Sequence, residues 1–87
     1  MDIGVEISLY PLEADVVPAV HEFLERLNAR PGLKVVTNSL STQVFGTHEE
    51  VFDVLKAEFG RTFHDRDLES GKAVFIMKVV GPLADAA

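Results

Sequence analysis

Two short runs of hydroxyl, amide and carboxylate side chains are the parts of this chain best suited to contact a small molecule. They are Glu6-Ile7-Ser8-Leu9-Tyr10-Pro11 and Thr37-Asn38-Ser39-Leu40-Ser41-Thr42. A carboxylate and a hydroxyl that leave water need hydrogen-bond partners, so Glu6 and Ser8 suit a pocket that offers such bonds, with Tyr10 as an aromatic wall. Facing water or pairing across a subunit interface would explain these side chains equally well.

The second run is the weaker of the two as an indication of function. Asparagine and serine are favoured in turns for conformational reasons of their own, which explains Asn38 and Ser39 without a ligand. Thr42 falls inside a predicted strand, where threonine is common. The run therefore points to a site only in combination with other residues.

Enzymatic chemistry is the less favoured interpretation. A nucleophilic mechanism needs an activated Ser, Thr or Cys beside a base, but the chain has no cysteine and no Gly-x-Ser-x-Gly segment. The glycines form no phosphate-binding loop of the Gly-x-Gly-x-x-Gly or Gly-Lys-Ser/Thr type. His21, His48 and His64 are expected at exposed helical positions, without the spacing of metal ligands. We therefore predict no catalytic residue, no metal and no cofactor.

Composition and charge narrow the possible partners. The chain has 87 residues, of which 47% are hydrophobic, and a formal net charge of −6. So acidic a chain is poorly suited to nucleic acid or an anionic membrane surface. No apolar run approaches the roughly 20 residues that cross a bilayer, and the N-terminal residues do not resemble a signal peptide. A cytoplasmic protein with a neutral or cationic ligand is expected.

Hydrophobic periodicity predicts six elements along the chain. The strands are predicted over 3–10, 33–38, 41–46 and 73–80. The first helix follows Asp15 as N-cap and ends at 30–32. The second begins at a capping box of Thr47 and Glu50 and ends or frays at Gly60, unless Phe63 extends its apolar stripe by one turn. Residues 65–72 are predicted to form a loop, and Gly81-Pro82 to stop the last strand. The chain is thus expected to be a single domain over 1–87, with a core over 3–80 and a short tail over 81–87.

The predicted order βαββαβ is typical of the α+β ferredoxin-like sandwich, a four-stranded antiparallel sheet with two helices on one face. In the spatial order 4-1-3-2, the helices cover the apolar side of the first strand. The other side, with Glu6, Ser8 and Tyr10, stays open and invites a ligand or a second subunit. Because so small a chain without cysteines often needs further support, a homodimer or homotetramer through the sheet faces is expected.

The order and spacing of several short segments resemble the YkoF-like family, over about 5–59. The segments are Ser8-Leu9-Tyr10-Pro11-Leu12, Thr37, Ser41-Thr42 followed by Gly46, and Val51-Phe52-Asp53 with Lys56. The resemblance implies a ferredoxin-like domain that binds thiamin or its hydroxymethylpyrimidine moiety without catalysis, in uptake or salvage of the vitamin. The resemblance further implies that the protein could associate with a transport system.

The resemblance also implies which residues contact the ligand. The principal contacts would be the backbone of Leu9 and the side chain of Thr42, and the neighbours that complete the pocket would be Ser8, Tyr10, Thr37 and Ser41. Glu6 is added on chemical grounds, because a carboxylate could accept a hydrogen bond from the aminopyrimidine NH₂ or offset a thiazolium charge.

Several alternatives remain open at this level. In this fold the first and third strands are expected to run parallel, so Leu9 and Thr42 need not be adjacent within one chain. A shared pocket then requires a register offset, a long ligand or two subunits. The chain could instead be a small-molecule-sensing regulatory module, or an oligomeric interaction module with a different ligand. The sequence is compatible with a dimer and with a tetramer. It is also compatible with a role in transport and with a role in biosynthesis.

Overall fold

The computed structural model describes residues 2–12, 15–64 and 72–83. Its elements are β1 (Asp2–Pro11), α1 (Val17–Asn28), β2 (Lys34–Thr37), β3 (Thr42–Thr47), α2 (His48–Phe63) and β4 (Ala73–Leu83). The predicted order βαββαβ is therefore confirmed. Most of the predicted loop over 65–72 lies outside the described residues, which resume at Lys72.

The four strands form one sheet in the order β2-β3-β1-β4, and every neighbouring pair is antiparallel. The predicted sheet and its strand order are confirmed. The expectation that β1 and β3 run parallel is wrong. The crossover through α1 makes β2 parallel to β1, and the tight turn after β2 then reverses the chain. As a result β3 runs against β1, and Ile7 lies opposite Thr42.

Both helices pack on the same face of the sheet, as predicted. The buried hydrophobic side chains of the core are Ile3, Val5, Ile7, Leu9, Phe23, Leu27, Val44, Val51 and Leu55. They come from β1, β3 and both helices, and each contributes about 1.5–3 kcal/mol relative to leaving it exposed. Because side chains alternate along a strand, burying the odd-numbered residues of β1 leaves Glu6, Ser8 and Tyr10 outside this core.

The helix starts follow local capping chemistry. The carboxylate of Asp15 accepts a hydrogen bond from the Val17 N–H at 3.3 Å, although α1 is preceded directly by Val16, which has a helical backbone and makes no side-chain cap. At α2, Thr47 Oγ1 accepts from the Glu50 N–H at 3.2 Å. The predicted cap at Thr47 is thus confirmed. The prediction of Asp15 as the N-cap of α1 is wrong, because the helix begins one residue later and Asp15 precedes the N-cap position.

Gly60 does not end α2, which continues to Phe63. A glycine inside a helix costs only about 1 kcal/mol relative to alanine. The last turn is held by aromatic packing, because the Phe63 ring lies 6.4 Å from Phe59 and 5.7 Å from Phe75, between ring centroids. Those contacts outweigh the local preference of the glycine.

Gly81-Pro82 does not end β4, which runs on to Leu83. β4 is an edge strand, where a missing proline N–H is tolerated best. Its register against β1 shifts between Gly4, opposite Val80, and Asp2, opposite Leu83. The expected boundary between a core over 3–80 and a tail over 81–87 is therefore wrong at Gly81, and the rest of that tail, after Leu83, lies outside the described residues.

No helix within the described ranges is long and apolar enough to cross a membrane.

Candidate functional site

A gap in the sheet creates the pocket that contains most of the predicted site. β1 pairs with β3 only as far as Ile7, opposite Thr42, but pairs with β4 as far as Pro11. The last residues of β1 therefore have a strand on one side only. The vacant side is covered by α1 and closed by the turn between β2 and β3. A cavity of about 210 Å³ occupies this position.

Six of the seven predicted ligand-binding residues line this cavity. They are Ser8, Leu9, Tyr10, Thr37, Ser41 and Thr42. The antiparallel register brings Leu9 and Thr42 to the same end of the sheet within one chain, because Thr42 lies opposite Ile7, two residues before Leu9. A bridging ligand or a second subunit is not needed to join them.

Leu9 presents its backbone, not its side chain, to the cavity. Its side chain belongs to the core. The Leu12 N–H donates to the Lys72 carbonyl at 3.0 Å, and backbone groups alternate between the two edges of a strand. The N–H and C=O of Leu9 therefore point away from β4, towards the position that a longer β3 would have filled.

Thr42 and Thr37 both line the cavity and carry hydroxyl groups. Thr42 is only 6% exposed, and its Oγ1 lies 3.5 Å from the Oγ1 of Thr37. That distance is at the outer limit of a hydrogen bond. Since each hydroxyl offers one donor and two acceptor sites, both threonines keep unused hydrogen-bonding capacity for a ligand.

The turn that closes the cavity is held by Asn38. Its Oδ1 accepts hydrogen bonds from the N–H groups of Leu40 at 2.8 Å and Ser41 at 3.0 Å, and its own N–H donates to the Ser41 carbonyl at 3.0 Å. The turn chemistry inferred for Asn38 is thus confirmed. The side-chain oxygen of Asn38 is engaged in these bonds, so its role is to hold the turn. The neighbouring Ser39 and Ser41 line the cavity.

Glu6 is not brought together with the other six residues. At this point β1 still pairs on both sides, with Gln43 of β3 and Lys78 of β4. Its carboxylate lies 3.9 Å from the Lys78 ammonium group and lines a separate depression of about 300 Å³ on the open sheet face, beside Phe45 and Val80. Glu6 is therefore removed from the candidate pocket.

The wall that α1 contributes to the pocket was not predicted from the sequence. Val20, Phe23 and Leu24 line the cavity opposite the sheet. Their sequence spacing is that of one apolar helical face, which indicates a contact with the sheet but not a pocket. These residues lie early in α1, soon after the end of β1, and on the helix face turned to the sheet. That position could have predicted that they lie near the end of β1.

A buried charge cluster was also missed. The carboxylate of Glu58 is 1% exposed and accepts from Arg26 Nε at 2.6 Å and Arg30 Nη2 at 3.0 Å. Glu58 follows Leu55 by three residues and Val51 by seven, a spacing that puts all three on one helical face. That spacing could have indicated a buried acid. Both oxygens are engaged, so the cluster joins α1 to α2 and lies apart from the pocket lining.

No group of three or more His, Cys, Asp or Glu side chains in the described ranges could hold a metal ion. The cavity at the end of β1 is thus lined by hydroxyls, backbone groups and apolar side chains. This arrangement can hold a flat polar ring by its edge and cover its faces with apolar surface.

The sequence itself matches a known family. The model of the YkoF-related family covers residues 2–67. The chain belongs to the YkoF-related family. The matched region runs from the start of β1 through α2 and includes every residue of the pocket lining. No curated protein matches the chain.

Solved structures share the fold of this YkoF-related protein. A hypothetical protein of Methanocaldococcus jannascii has a TM-score of 0.74 and 24% identity, over 97% of this chain and 84% of that one. A protein of Streptococcus pneumoniae has a TM-score of 0.76 and 12% identity, over 97% and 90% of the two chains.

A third structure comes from Thermotoga maritima, a protein that carries a proposed role in thiamine biosynthesis or salvage. Its TM-score is 0.64 at 23% identity, over 94% of this chain and 85% of that one. At such identities the likeness establishes the common fold.

Proposed function

We propose that this protein binds the hydroxymethylpyrimidine moiety of thiamin, or thiamin through that moiety, in the cavity at the end of β1 and without turning it over. The observation that carries the proposal is the convergence of Ser8, Leu9, Tyr10, Thr37, Ser41 and Thr42 on one cavity. Membership of the YkoF-related family and the likeness to the Thermotoga maritima protein support it.

The polar groups suit an aminopyrimidine edge. Such a ring carries an acceptor nitrogen next to an NH₂ donor, the same pair that a strand residue offers across a sheet. The N–H and C=O of Leu9 point into the position that β3 leaves vacant, where the ring edge can replace a missing strand residue. The Thr42 hydroxyl adds a donor or acceptor nearby, and Phe23 of α1 supplies apolar area.

The cavity volume favours one ring over two. Pockets for drug-sized ligands occupy about 300–1,000 Å³, but this cavity holds about 210 Å³. The pyrimidine would therefore occupy the enclosed part. In thiamin, the thiazolium ring would extend through the open mouth between Tyr10 and Leu40 and contribute less to affinity.

Binding without turnover is supported by the chemistry of the lining. Hydroxyl groups of serine and threonine become nucleophiles only beside a base, and the described lining contains no His, Lys, Asp or Glu. A carrier or sensor of the vitamin precursor is the role proposed. A cytoplasmic location stays a prediction from the sequence.

Self-association through the open sheet face completes the proposal. Tyr10, Val74, Ile76 and Val80 are all substantially exposed there, and an apolar patch of this kind marks an interaction surface. Glu6 and Lys78 lie opposite each other in the same face. A second copy could cover the apolar side chains, and its own Lys78 could approach Glu6.

The deciding experiment is calorimetric titration of the purified protein with hydroxymethylpyrimidine and, separately, with thiamin. Saturable binding of both, with similar affinity, is expected because the pyrimidine is common to them. Far tighter binding of thiamin would show that the thiazolium ring is also held. No heat and no thermal stabilisation with either ligand would refute the proposed function.

A further inference from the structure

The cavity carries no charged side chain in its described lining. Its thirteen lining residues come from β1, α1, the end of β2, the turn and the start of β3, and none of them is Asp, Glu, Lys, Arg or His. Polar contacts are available only from hydroxyl, amide and backbone groups. A neutral ligand therefore exchanges its hydrogen bonds to water for hydrogen bonds to protein.

An anionic ligand would lose more on leaving water than this cavity can return. Taking an ionised group from water without a compensating charge is far more costly than moving a neutral polar group. Phosphate sites usually supply arginine, lysine or the free N–H groups of a helix N-terminus. The first residue of α1 in this lining is Val20, and its N–H already donates to the Val16 carbonyl at 3.2 Å. The net charge of −6 adds repulsion at longer range.

We propose that the cavity is selective for the neutral pyrimidine alcohol and rejects its phosphate ester. This inference rests on the proposed function and names the charge state of the ligand. The hydroxymethyl oxygen can donate to or accept from a side chain such as Thr42. A phosphate on that oxygen, with about two negative charges near neutral pH, has no cation to meet it in the described lining.

The test compares hydroxymethylpyrimidine with its phosphate ester by calorimetric titration in 0.15 M salt at pH 7.5. We expect the ester to bind at least tenfold more weakly than the alcohol. Leu40→Lys then places one cation at the mouth of the cavity, on a turn residue that is 93% exposed. Relative to Leu40→Gln, the variant should tighten ester binding several-fold and bind the alcohol equally well, and 0.5 M salt should remove the gain because it screens exposed charges.

Leu40→Gln is the matched control, since it makes the same residue polar without a charge. Loss of the leucine side chain from the lining is common to both variants, so the comparison between them measures the effect of the charge alone. Ester binding equal to or tighter than alcohol binding in the wild type would overturn this inference and leave the proposed function standing. If Leu40→Lys binds the ester no more tightly than Leu40→Gln does, the explanation by charge is contradicted. No binding of either ligand would overturn the proposed function and this inference together.

Discussion

Arg26 of α1 and Glu58 of α2 form a short ion pair, with Nε of the arginine 2.6 Å from Oε1 of the glutamate. Arg30 donates to the other oxygen at 3.0 Å. The Glu58 side chain is almost completely buried, and an ionised group in such a position is tolerated only when it is paired and hydrogen-bonded. The two helices that cover the sheet are therefore coupled through one carboxylate.

Replacement of Glu58 by alanine is expected to lower the free energy of unfolding by about 1.5–3 kcal/mol, the contribution of hydrogen bonds to a charged group. The loss stays below that of a fully buried ion pair because the side chains of Arg26 and Arg30 are 23% and 40% exposed and can reach water. Urea denaturation followed by circular dichroism measures the change. Glu25→Ala is the control, since Glu25 pairs with His21 at the surface and should change stability by about 0.5 kcal/mol or less. Equal losses in the two variants would contradict the structural role given to Glu58.

Replacement of Thr42 by valine is expected to weaken hydroxymethylpyrimidine binding roughly three- to tenfold, which corresponds to the loss of one hydrogen bond of about 0.5–1.5 kcal/mol. Valine keeps the shape of the buried side chain, so the melting temperature should stay close to that of the wild type. Calorimetric titration and a thermal melt give the two quantities. Unchanged affinity would remove Thr42 from the site.

Glu6→Gln is expected to leave the affinity for hydroxymethylpyrimidine unchanged. The carboxylate lies on the open sheet face beside Lys78, away from the cavity at the end of β1. The same titration tests this prediction. A loss as large as that of Thr42→Val would mean that the ligand occupies the open face.

Two glycine-to-alanine substitutions should change stability in opposite directions. A β-carbon added at Gly4 would lie 2.9 Å from Cε1 of Phe45 and 3.3 Å from Cγ1 of Val80, whereas at Gly60 none of the described atoms lies within 4 Å. Gly4→Ala should therefore cost about 1–3 kcal/mol through overpacking. Gly60→Ala should add about 0.5–1 kcal/mol, because alanine is the better residue inside a helix. Urea denaturation measures both, and a stabilised Gly4→Ala variant would show that the Phe45 ring is free to move aside.

Ile76→Lys is expected to shift the protein from an oligomer to a monomer and to leave its circular dichroism spectrum unchanged. Ile76 is 56% exposed on the open face of β4, and a lysine there would place a charge within the proposed apolar interface, where burying it is costly. Sedimentation velocity measures the mass. Val17→Lys, an exposed position on α1, is the control and should keep the wild-type mass. A monomeric wild type would refute self-association.

The sequence alone determined those features that depend on near neighbours in the chain. The alternation from Ile3 to Leu9 predicted which side of β1 is buried, because successive side chains of a strand point to opposite faces. Thr47 and Glu50, three residues apart, predicted the start of α2. In the structure the Thr47 hydroxyl accepts a hydrogen bond from the N–H of Glu50. The order of elements then indicated the sandwich, since few arrangements satisfy six such elements.

Only the tertiary structure decided what depends on residues that are distant in the chain. The pocket exists because β3 begins only at Thr42, opposite Ile7, whereas β1 continues to Pro11. No local pattern along either strand predicts this offset. The same register placed Thr42 opposite Ile7 and Glu6 opposite Gln43, and helix packing brought Arg26 to Glu58. Side-chain periodicity determines which face a residue occupies, but register and helix placement arise from packing of the whole chain, and these decided which polar groups meet.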